Sequence, residues 1–327
     1  MGFMHRGRFV SILGGIAVAC MFAACPAAQA TEWHAVIGAQ SNDKGHQALA
    51  FLPNEIWIHA GDSIAWTFAA DEIHTLTFLT AGQVRPGPFG GCPGFAANPA
   101  TFDGSTCVST PPQASGATFT VTFPTTGNFK FVCLLHNNMT GVAHVLDPSQ
   151  ALPHTQSFYD MAAMDEGIEL ISDADPALAF DPAGQNHVSA GVGEISSTAG
   201  GQQTLSVLRF VEGIKVIHAG ETAEWTNNDP VTPHTITFGA PPAGNPAAPS
   251  SNVTTDADGA LHGTIKSASD IVHSGFIVAA LQEQTGQRQQ PLSVTRFRVT
   301  FTTPGTYRYM CVLHGSLGMM GKVVVLP

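Results

Sequence analysis

Hydrophobic and polar residues alternate along most of the chain after residue 30, in short runs that end at glycine, proline or small polar residues. Representative runs are residues 56–68 (IWIHAGDSIAWTF), 119–133 (FTVTFPTTGNFKFVC) and 297–311 (FRVTFTTPGTYRYMC). A period of two is typical of a strand with one buried face and one wet face. Because no stretch has a convincing helical period, the pattern predicts an all-β protein built of antiparallel β-sandwiches.

The strand plan occurs twice in the chain. Residues 56–68 match residues 216–227 (VIHAGETAEWTN), and each copy holds a tryptophan that we expect in the core, Trp66 or Trp225. The interval from Phe123 to Cys133 also equals the interval from Phe301 to Cys311. Internal duplication therefore predicts two similar domains in tandem.

The predicted domains are residues 31–147 and residues 187–327. The segment between them, 148–186, has scattered acids, Asp-Pro turns and weak helical periodicity. We interpret it as a linker with one short helix.

The first thirty residues are typical of an export signal. An apolar segment (9–24) follows Arg6 and Arg8, and a small-x-small motif ends at Ala30. The segment is too short to predict a membrane span. Removal of residues 1–30, with cleavage after Ala30, predicts a periplasmic or secreted protein. The alternative is a lipoprotein anchored at Cys25, which follows Phe-Ala-Ala.

The charge balance limits the partners. Cleavage would remove two of the 13 Lys and Arg residues and none of the 24 Asp and Glu residues, which leaves 11 positive against 24 negative charges. This acidity argues against nucleic acid or an anionic membrane as a partner and suits docking to a basic redox protein.

The six cysteines fall into three pairs. Two leave with the predicted signal. Cys92 and Cys107 lie in a Gly/Pro-rich loop, and in an exported protein such a pair predicts a disulfide. Cys133 and Cys311 remain for chemistry.

Both of these cysteines begin a compact set of metal-binding side chains. In each half a histidine follows three residues after the cysteine, a methionine follows shortly after that, and another histidine stands upstream at the head of a β-like run. The candidate ligands are His74, Cys133, His136 and Met139 in the first half, and His234, Cys311, His314 and Met319 in the second. Two imidazoles, a thiolate and a thioether are the ligands of a blue, type 1 copper centre, so the chain is expected to bind two copper ions.

A structural thiol and a zinc site are the two alternatives to copper for these clusters. A buried structural thiol beside a histidine explains one cluster but not the repetition of the whole set. Zinc rarely recruits a thioether, so the methionines favour copper.

At these residues the chain resembles the cupredoxin family, the small blue copper proteins such as plastocyanin and amicyanin. The spacing C-x2-H-x2-M at Cys133 is similar to amicyanin-like loops, and C-x2-H-x4-M at Cys311 to plastocyanin-like loops. In both, a Met-x-Gly step leads into the last strand, which selects Met319 over Met320. The resemblance implies two tandem cupredoxin domains.

The sequence departs from the family pattern at two places. Thr75 and Thr235 follow the upstream histidines, where these families often have asparagine, and neither His136 nor His314 is followed by proline. The hydrogen bonds to the cysteine sulfurs, which tune a copper centre, are therefore left open.

The resemblance implies an electron carrier and not an enzyme, with redox proteins (a cytochrome, an oxidase or a reductase) as partners. A copper storage protein is one alternative. The other is an oxidase or reductase with a catalytic copper between the domains. Spare histidines could supply that site: His34, His46, His144, His187 and His273. No His-x-His pair is present, and Val132 stands before Cys133 where copper nitrite reductases have a histidine.

Two expectations concern how such centres would work. In the related small proteins, the histidine between the cysteine and the methionine reaches the surface and serves as the electron port, so we expect His136 and His314 to be exposed. Because the two ligand loops differ in length, we also expect separable reduction potentials.

Overall fold

The computed structural model describes residues 1–2, 30–87, 89, 92, 94–174, 184–279 and 295–327. Nearly all of the predicted signal segment lies outside the described residues. The strands of the first half are β1 (Glu32–Gln40), β2 (His46–Leu52), β3 (Glu55–His59), β4 (Ser63–Phe68), β5 (Thr77–Phe78), β6 (Ala100–Thr101), β7 (Val108–Ser109), β8 (Thr118–Thr122), β9 (Gly127–Val132) and β10 (Thr140–Leu146).

A helix, α1 (Gln156–Ser172), separates them from the strands of the second half. These are β11 (His187–Ser197), β12 (Gln202–Val211), β13 (Ile214–His218), β14 (Thr222–Asn228), β15 (Thr237–Phe238), β16 (Thr254–Thr255), β17 (Leu261–Ile265), β18 (Val272–His273), β19 (Arg296–Phe301), β20 (Gly305–Met310) and β21 (Met320–Leu326).

One eleven-stranded sheet runs through both halves, and each half adds a five-stranded sheet. The large sheet has the order β16-β17-β19-β14-β11-β12-β2-β1-β4-β8-β6, and the small sheets are β3-β10-β9-β5-β7 and β13-β21-β20-β15-β18. Each half is thus a two-layer sandwich made of part of the large sheet and one small sheet. The all-β prediction is confirmed.

The pairing is less uniform than the alternating pattern predicted. Most strand pairs are antiparallel, but each half also contains parallel pairs, among them β1 with β4 and β11 with β14. Periodicity reports which face of a strand is buried and carries no information on the direction of its neighbour, so this feature could not be read from the pattern.

The two tryptophans lie in the cores of the two sandwiches, as expected. Trp66 and Trp225 are fully buried. The Trp66 ring packs edge-on against Phe131 at 5.6 Å, and the Trp225 ring packs against Tyr309 at 5.2 Å. These aromatic contacts lie on the strands that lead to Cys133 and Cys311, so they hold the base of each ligand loop.

The helix in the linker segment is longer than expected and is part of the first sandwich. It has 17 residues and is capped by Thr155, whose hydroxyl accepts a hydrogen bond from the Phe158 N–H. The Tyr159 hydroxyl donates to the carbonyl of Trp57 at 3.2 Å, and its ring packs against Trp33 at 5.7 Å. The helical period is weak in the sequence because apolar side chains also occupy the outer face of this helix.

The two sandwiches join through β2 and β12. These strands pair in antiparallel fashion, with Ala48 opposite Leu205 and Gln47 opposite Ser206. Both strands are buried along almost their whole length. Since β2 and β12 hold equivalent places in the repeat, the pairing relates the two halves by an approximate two-fold axis and turns the same end of each sandwich towards the other.

The predicted disulfide is present, with the Cα atoms of Cys92 and Cys107 5.4 Å apart. In the part of the chain that the structure describes, no helix combines the length and the apolar character needed to cross a bilayer.

Candidate metal centres

In the first half, the donor atom of His74 meets those of Cys133 and His136, which lie together in a loop much further along the chain. His74 follows β4 and forms an isolated bridge with Gln113, while Cys133 directly follows β9. The Nδ1 atoms of His74 and His136 are 3.1 Å apart, and the Cys133 Sγ lies 3.6 Å from the His136 Nδ1. Met139, directly before β10, is buried in the same core cluster as Cys133. The donor atoms of His74, Cys133 and His136 all lie within 4.8 Å of one another.

The second half repeats this arrangement. The Nδ1 atoms of His234 and His314 are again 3.1 Å apart, and the Cys311 Sγ lies 3.4 Å from the His314 Nδ1. Met319 is buried beside Cys311, and its carbonyl accepts a hydrogen bond from the cysteine N–H at 3.1 Å. The duplicated ligand pattern of the sequence thus becomes two similar clusters of donor atoms.

The two threonines tie the upstream histidine to the cysteine loop. The N–H groups of Thr75 and Thr235 each point at the cysteine sulfur, at 3.4 Å. The hydroxyl of Thr75 accepts a hydrogen bond from the Leu134 N–H at 2.7 Å, and that of Thr235 from the Val312 N–H at 2.8 Å. Thr75 and Thr235 therefore provide the hydrogen bonds to the cysteine loop that could not be predicted from the sequence.

The charges within each cluster favour a thiolate. Burial by itself raises the pKa of the Cys133 and Cys311 thiols, but the neighbouring His136 and His314 outweigh it and hold these pKa values well below the ordinary range. Burial lowers the pKa of His136, yet the charge of Cys133 raises that pKa to about 10. In the metal-free protein the cluster is a thiolate–imidazolium pair, and a bound metal replaces the imidazolium proton.

This donor set fits copper. A buried thiolate and two imidazole nitrogens that converge 3.1 Å apart are a soft, compact ligand group closed to bulk water. A family model described as copper binding proteins, plastocyanin/azurin family, matches residues 38–146 and 197–326, which together exceed half of the chain. The chain belongs to the plastocyanin/azurin family of copper-binding proteins.

Individual relatives in this family are distant. The plastocyanin of Synechococcus sp. (strain JA-2-3B'a(2-13)) is 28% identical over 109 residues, which are 33% of this chain and only 57% of that plastocyanin. Oxidized plastocyanin from Dryopteris crassirhizoma is 22% identical, with 43% of this chain and 99% of that chain covered and a TM-score of 0.21. Amicyanin from Paracoccus versutus is 19% identical, with 46% and 89% covered and a TM-score of 0.21.

The loop histidines of this plastocyanin/azurin-family protein are not exposed, contrary to the expectation from the resemblance. His136 and His314 are each 3% exposed. The Nε2 of His136 lies 3.4 Å from Oε1 of Glu72, and the Nε2 of His314 lies 3.6 Å from Oε2 of the same carboxylate. The ends of the two sandwiches that would carry the electron ports face each other, which covers both histidines.

Glu72 itself is buried, with 8% of its surface exposed. Burial raises its pKa, but the nearby His314 and His136 outweigh this and lower the pKa to about 2, so the group is a carboxylate. Nothing in the sequence indicated this role, because Glu72 contacts His314 across the junction of the two halves.

The rings of the upstream histidines pack closely against glycines that lie in β-bulges. Gly38 (φ +73°) and Gly191 (φ +79°) lie where the β1–β2 and β11–β12 registers shift. A Cβ on Gly38 would lie 2.8 Å from the Nε2 of His74, and a Cβ on Gly191 would collide with the His234 ring. Both glycines are therefore required for backbone conformation and for space. No local motif marks either glycine, although each half has one upstream of its first ligand histidine.

The two centres differ on the far side of the upstream histidine. The Nε2 of His234 lies 3.6 Å from Oδ2 of the fully buried Asp229. A Cβ on Gly191 would lie 3.2 Å from the Cβ of Asp229, and a Cβ on the equivalent Gly38 would lie 2.7 Å from the Cβ of Ala70, so an alanine takes the place of Asp229 in the first half. Neither the His74 Nε2 nor the His234 Nε2 has a hydrogen-bond partner among the described residues, so the contact of Asp229 with His234 is one of charge and not a hydrogen bond. Only the second centre therefore carries a buried carboxylate next to its upstream histidine.

The five spare histidines lie outside the two clusters and make other contacts. His144 contacts Glu55 at 3.0 Å and stacks on Trp57, while His273 lies between Thr237 and the carbonyl of Pro246. His34 and His46 lie on β1 and β2, and His187 bonds to a threonine hydroxyl on β14. Within the described ranges, the two clusters above are the only groups of three potential ligands that lie within 4.8 Å of one another.

Proposed function

We propose that this protein is an exported electron carrier with one type 1 copper in each half. The proposed ligands are His74, Cys133, His136 and Met139 for the first centre, and His234, Cys311, His314 and Met319 for the second. Its proposed partners are redox proteins of the periplasm or the extracellular space, and the protein itself is not an enzyme.

The observation that carries this proposal is the duplicated, buried cluster of two Nδ1 atoms and one cysteine sulfur. When bound, copper held by such ligands supplies one-electron chemistry between its two oxidation states with little change of geometry. The protein contributes the remaining conditions. It excludes water from both clusters, keeps the sulfurs as thiolates and points a threonine N–H at each sulfur. These are conditions for transfer of an electron and not for binding a substrate.

Copper loading and spectroscopy of single-site variants test the proposal. The mature protein should bind two copper ions, with an intense thiolate-to-copper absorption band and only type 1 signals in EPR. Cys133→Ser should remove the contribution of the first centre and keep the second, and Cys311→Ser should do the reverse. Their matched control is Cys92→Ser with Cys107→Ser, which removes two cysteines outside the clusters and should leave both blue bands.

Two results would contradict the proposal. A blue band that persists in the Cys133→Ser, Cys311→Ser double variant would mean that the ligands are wrong. A type 2 copper signal together with turnover of nitrite or dioxygen, lost on changing a spare histidine such as His187, would favour the enzyme alternative.

A further inference from the structure

Both loop histidines point at one carboxylate. Glu72 lies in the loop before His74, and its two oxygens face different halves of the protein, Oε1 towards His136 at 3.4 Å and Oε2 towards His314 at 3.6 Å. In both histidines Nδ1 faces the cysteine sulfur, so Nε2, which faces Glu72, is the ring nitrogen that takes no part in the cluster.

The contacts around Glu72 hold the two halves in this position. On one side, the Asn138 side chain donates to Gln202 at 3.1 Å, and the Gln202 N–H donates to the Thr140 hydroxyl at 2.9 Å. The first ligand loop is therefore bonded to the start of β12. These bonds add to the pairing of β2 with β12, so the first cluster is fixed against the second half.

On the other side, Arg209 on β12 connects the second ligand loop to the first half. Its guanidinium donates to the carbonyl of Leu317 at 2.8 Å and to the carbonyl of Asp43 at 2.6 Å. Leu317 lies between His314 and Met319, so this bond positions the second cluster. Because both ligand loops are tied across the junction, the contacts of Glu72 belong to a built interface and not to a mobile surface pair.

We propose that Glu72 couples the two centres into one redox unit, through the contacts of its two oxygens with the Nε2 atoms of His136 and His314, and so provides the route for electrons between them. This rests on the proposed function, since it assumes a metal centre in each cluster. In one exchange, a single electron leaves the reduced centre, which is oxidised, and enters the other, which is reduced. Both Nε2 protons stay in place and the carboxylate keeps its charge, so no other reactant is needed.

The geometry favours this role over a purely structural ion pair. The shared carboxylate connects the clusters directly, since each imidazole ring contacts a cysteine sulfur on one side and Glu72 on the other. The carboxylate is also the common partner of both rings, so its charge acts on both centres at once.

The test compares Glu72→Gln with Asp71→Asn. Glutamine keeps the shape of Glu72 but offers only one acceptor oxygen. Asp71 is the adjacent carboxylate, which bonds to Lys44 and Ser115 and forms no hydrogen bond or ion pair with a ligand histidine in the part of the chain that the structure describes, so its variant is a matched control for loss of one acid. Unchanged circular dichroism and unfolding midpoints would establish that both variants are folded.

The first measurement needs no metal. In ¹⁵N-labelled metal-free protein, the Nε2–H protons of His136 and His314 should give slowly exchanging NMR signals. Both signals should shift and exchange faster in Glu72→Gln and stay unchanged in Asp71→Asn. A change in only one histidine, or equal changes in both variants, would overturn the shared bridge whether or not the protein carries electrons.

The second measurement uses the copper-loaded full chain. After pulse reduction of a small fraction of the centres, the electron should redistribute in a first-order phase that does not depend on protein concentration. The spectra of Cys133→Ser and Cys311→Ser identify each centre. Glu72→Gln should slow this phase by about 10-fold or more, the scale typical for loss of a group that supports a metal ligand, and Asp71→Asn should not.

The outcomes separate the two proposals. Redistribution that depends on protein concentration, or an equal rate in both variants, would overturn the route through Glu72. If the protein gives no blue copper band while both histidine NMR signals still respond to Glu72→Gln, the electron-carrier function is refuted. Glu72 is then a structural contact only, and the proposed redox coupling is refuted too. In the single-site variants, Glu72→Gln should raise the reduction potential of each centre, and a shift in only one would exclude a shared carboxylate.

Discussion

Asp229 provides the clearest difference between the two centres, and its replacement by asparagine should raise the reduction potential of the second centre. The carboxylate is fully buried and is fixed by hydrogen bonds that its Oδ1 accepts from the N–H groups of Val231 and Thr232, at 2.9 and 2.8 Å. A negative charge beside a ligand favours the more positive oxidation state of a metal. Removal of that charge should therefore favour the reduced state.

The magnitude follows from the separation of the charges. Two unit charges 4 Å apart interact by about 4 kcal/mol at an effective dielectric constant of about 20. Oδ2 of Asp229 lies 3.6 Å from the Nε2 of His234, but the donor atom Nδ1 is on the other side of the ring. At about twice the distance the interaction is about 2 kcal/mol. For a one-electron couple this corresponds to a rise of about 85 mV.

The assay is a redox titration of Asp229→Asn in the Cys133→Ser background, which isolates the second centre. The first centre, isolated with Cys311→Ser, serves as the control and should move much less, because Ala70 holds the equivalent position there. A fall in potential of the second centre, or the same rise in both centres, would refute the electrostatic argument.

Two further predictions concern stability. In the metal-free protein the pKa of His136 is raised from 6.5 to about 10, while that of Cys133 is lowered well below 9.0. Between pH 6.5 and 9.0 these two effects on stability oppose each other, and burial raises the pKa of Glu166 to about 7, so the unfolding midpoint should change little between about pH 7 and 9. The midpoint should fall at lower pH, where the histidine of the unfolded chain gains a proton, and at higher pH, where the cysteine of the unfolded chain loses one. Thermal melts measure this, and a steady slope of the midpoint across the range would contradict the prediction. Gly38→Ala should lower stability by about 1–3 kcal/mol from the backbone alone and by more through its clash with Ala70 and the His74 ring, as measured by denaturant unfolding. Gly61→Ala, at φ +100° with open space around it, should show the backbone cost without the clash, so equal losses would argue against the contact with the ring.

Local patterns explain what could be predicted. The alternating runs identify strands because a two-residue period reports burial directly. The donor set around Cys133 and Cys311 could be recognised because three of its four side chains lie within one short loop, and the repeat located the upstream histidine. The disulfide between Cys92 and Cys107 followed from the shortage of alternative partners. Each of these predictions depends on residues that are close in sequence or repeated.

The sequence by itself therefore determined two β-sandwiches, each with its own buried cluster of two imidazoles and a thiolate. Tertiary structure alone decided how the sandwiches meet. Pairing of β2 with β12 depends on two exposed edges that match in shape and hydrogen bonding, and no local pattern encodes which edge a strand will choose. This pairing covers His136 and His314, which the sequence placed at the surface, and it sets Glu72 between them. Contacts that span more than two hundred residues arise only when two completed folds dock, so the connection between the centres belongs to the assembled molecule.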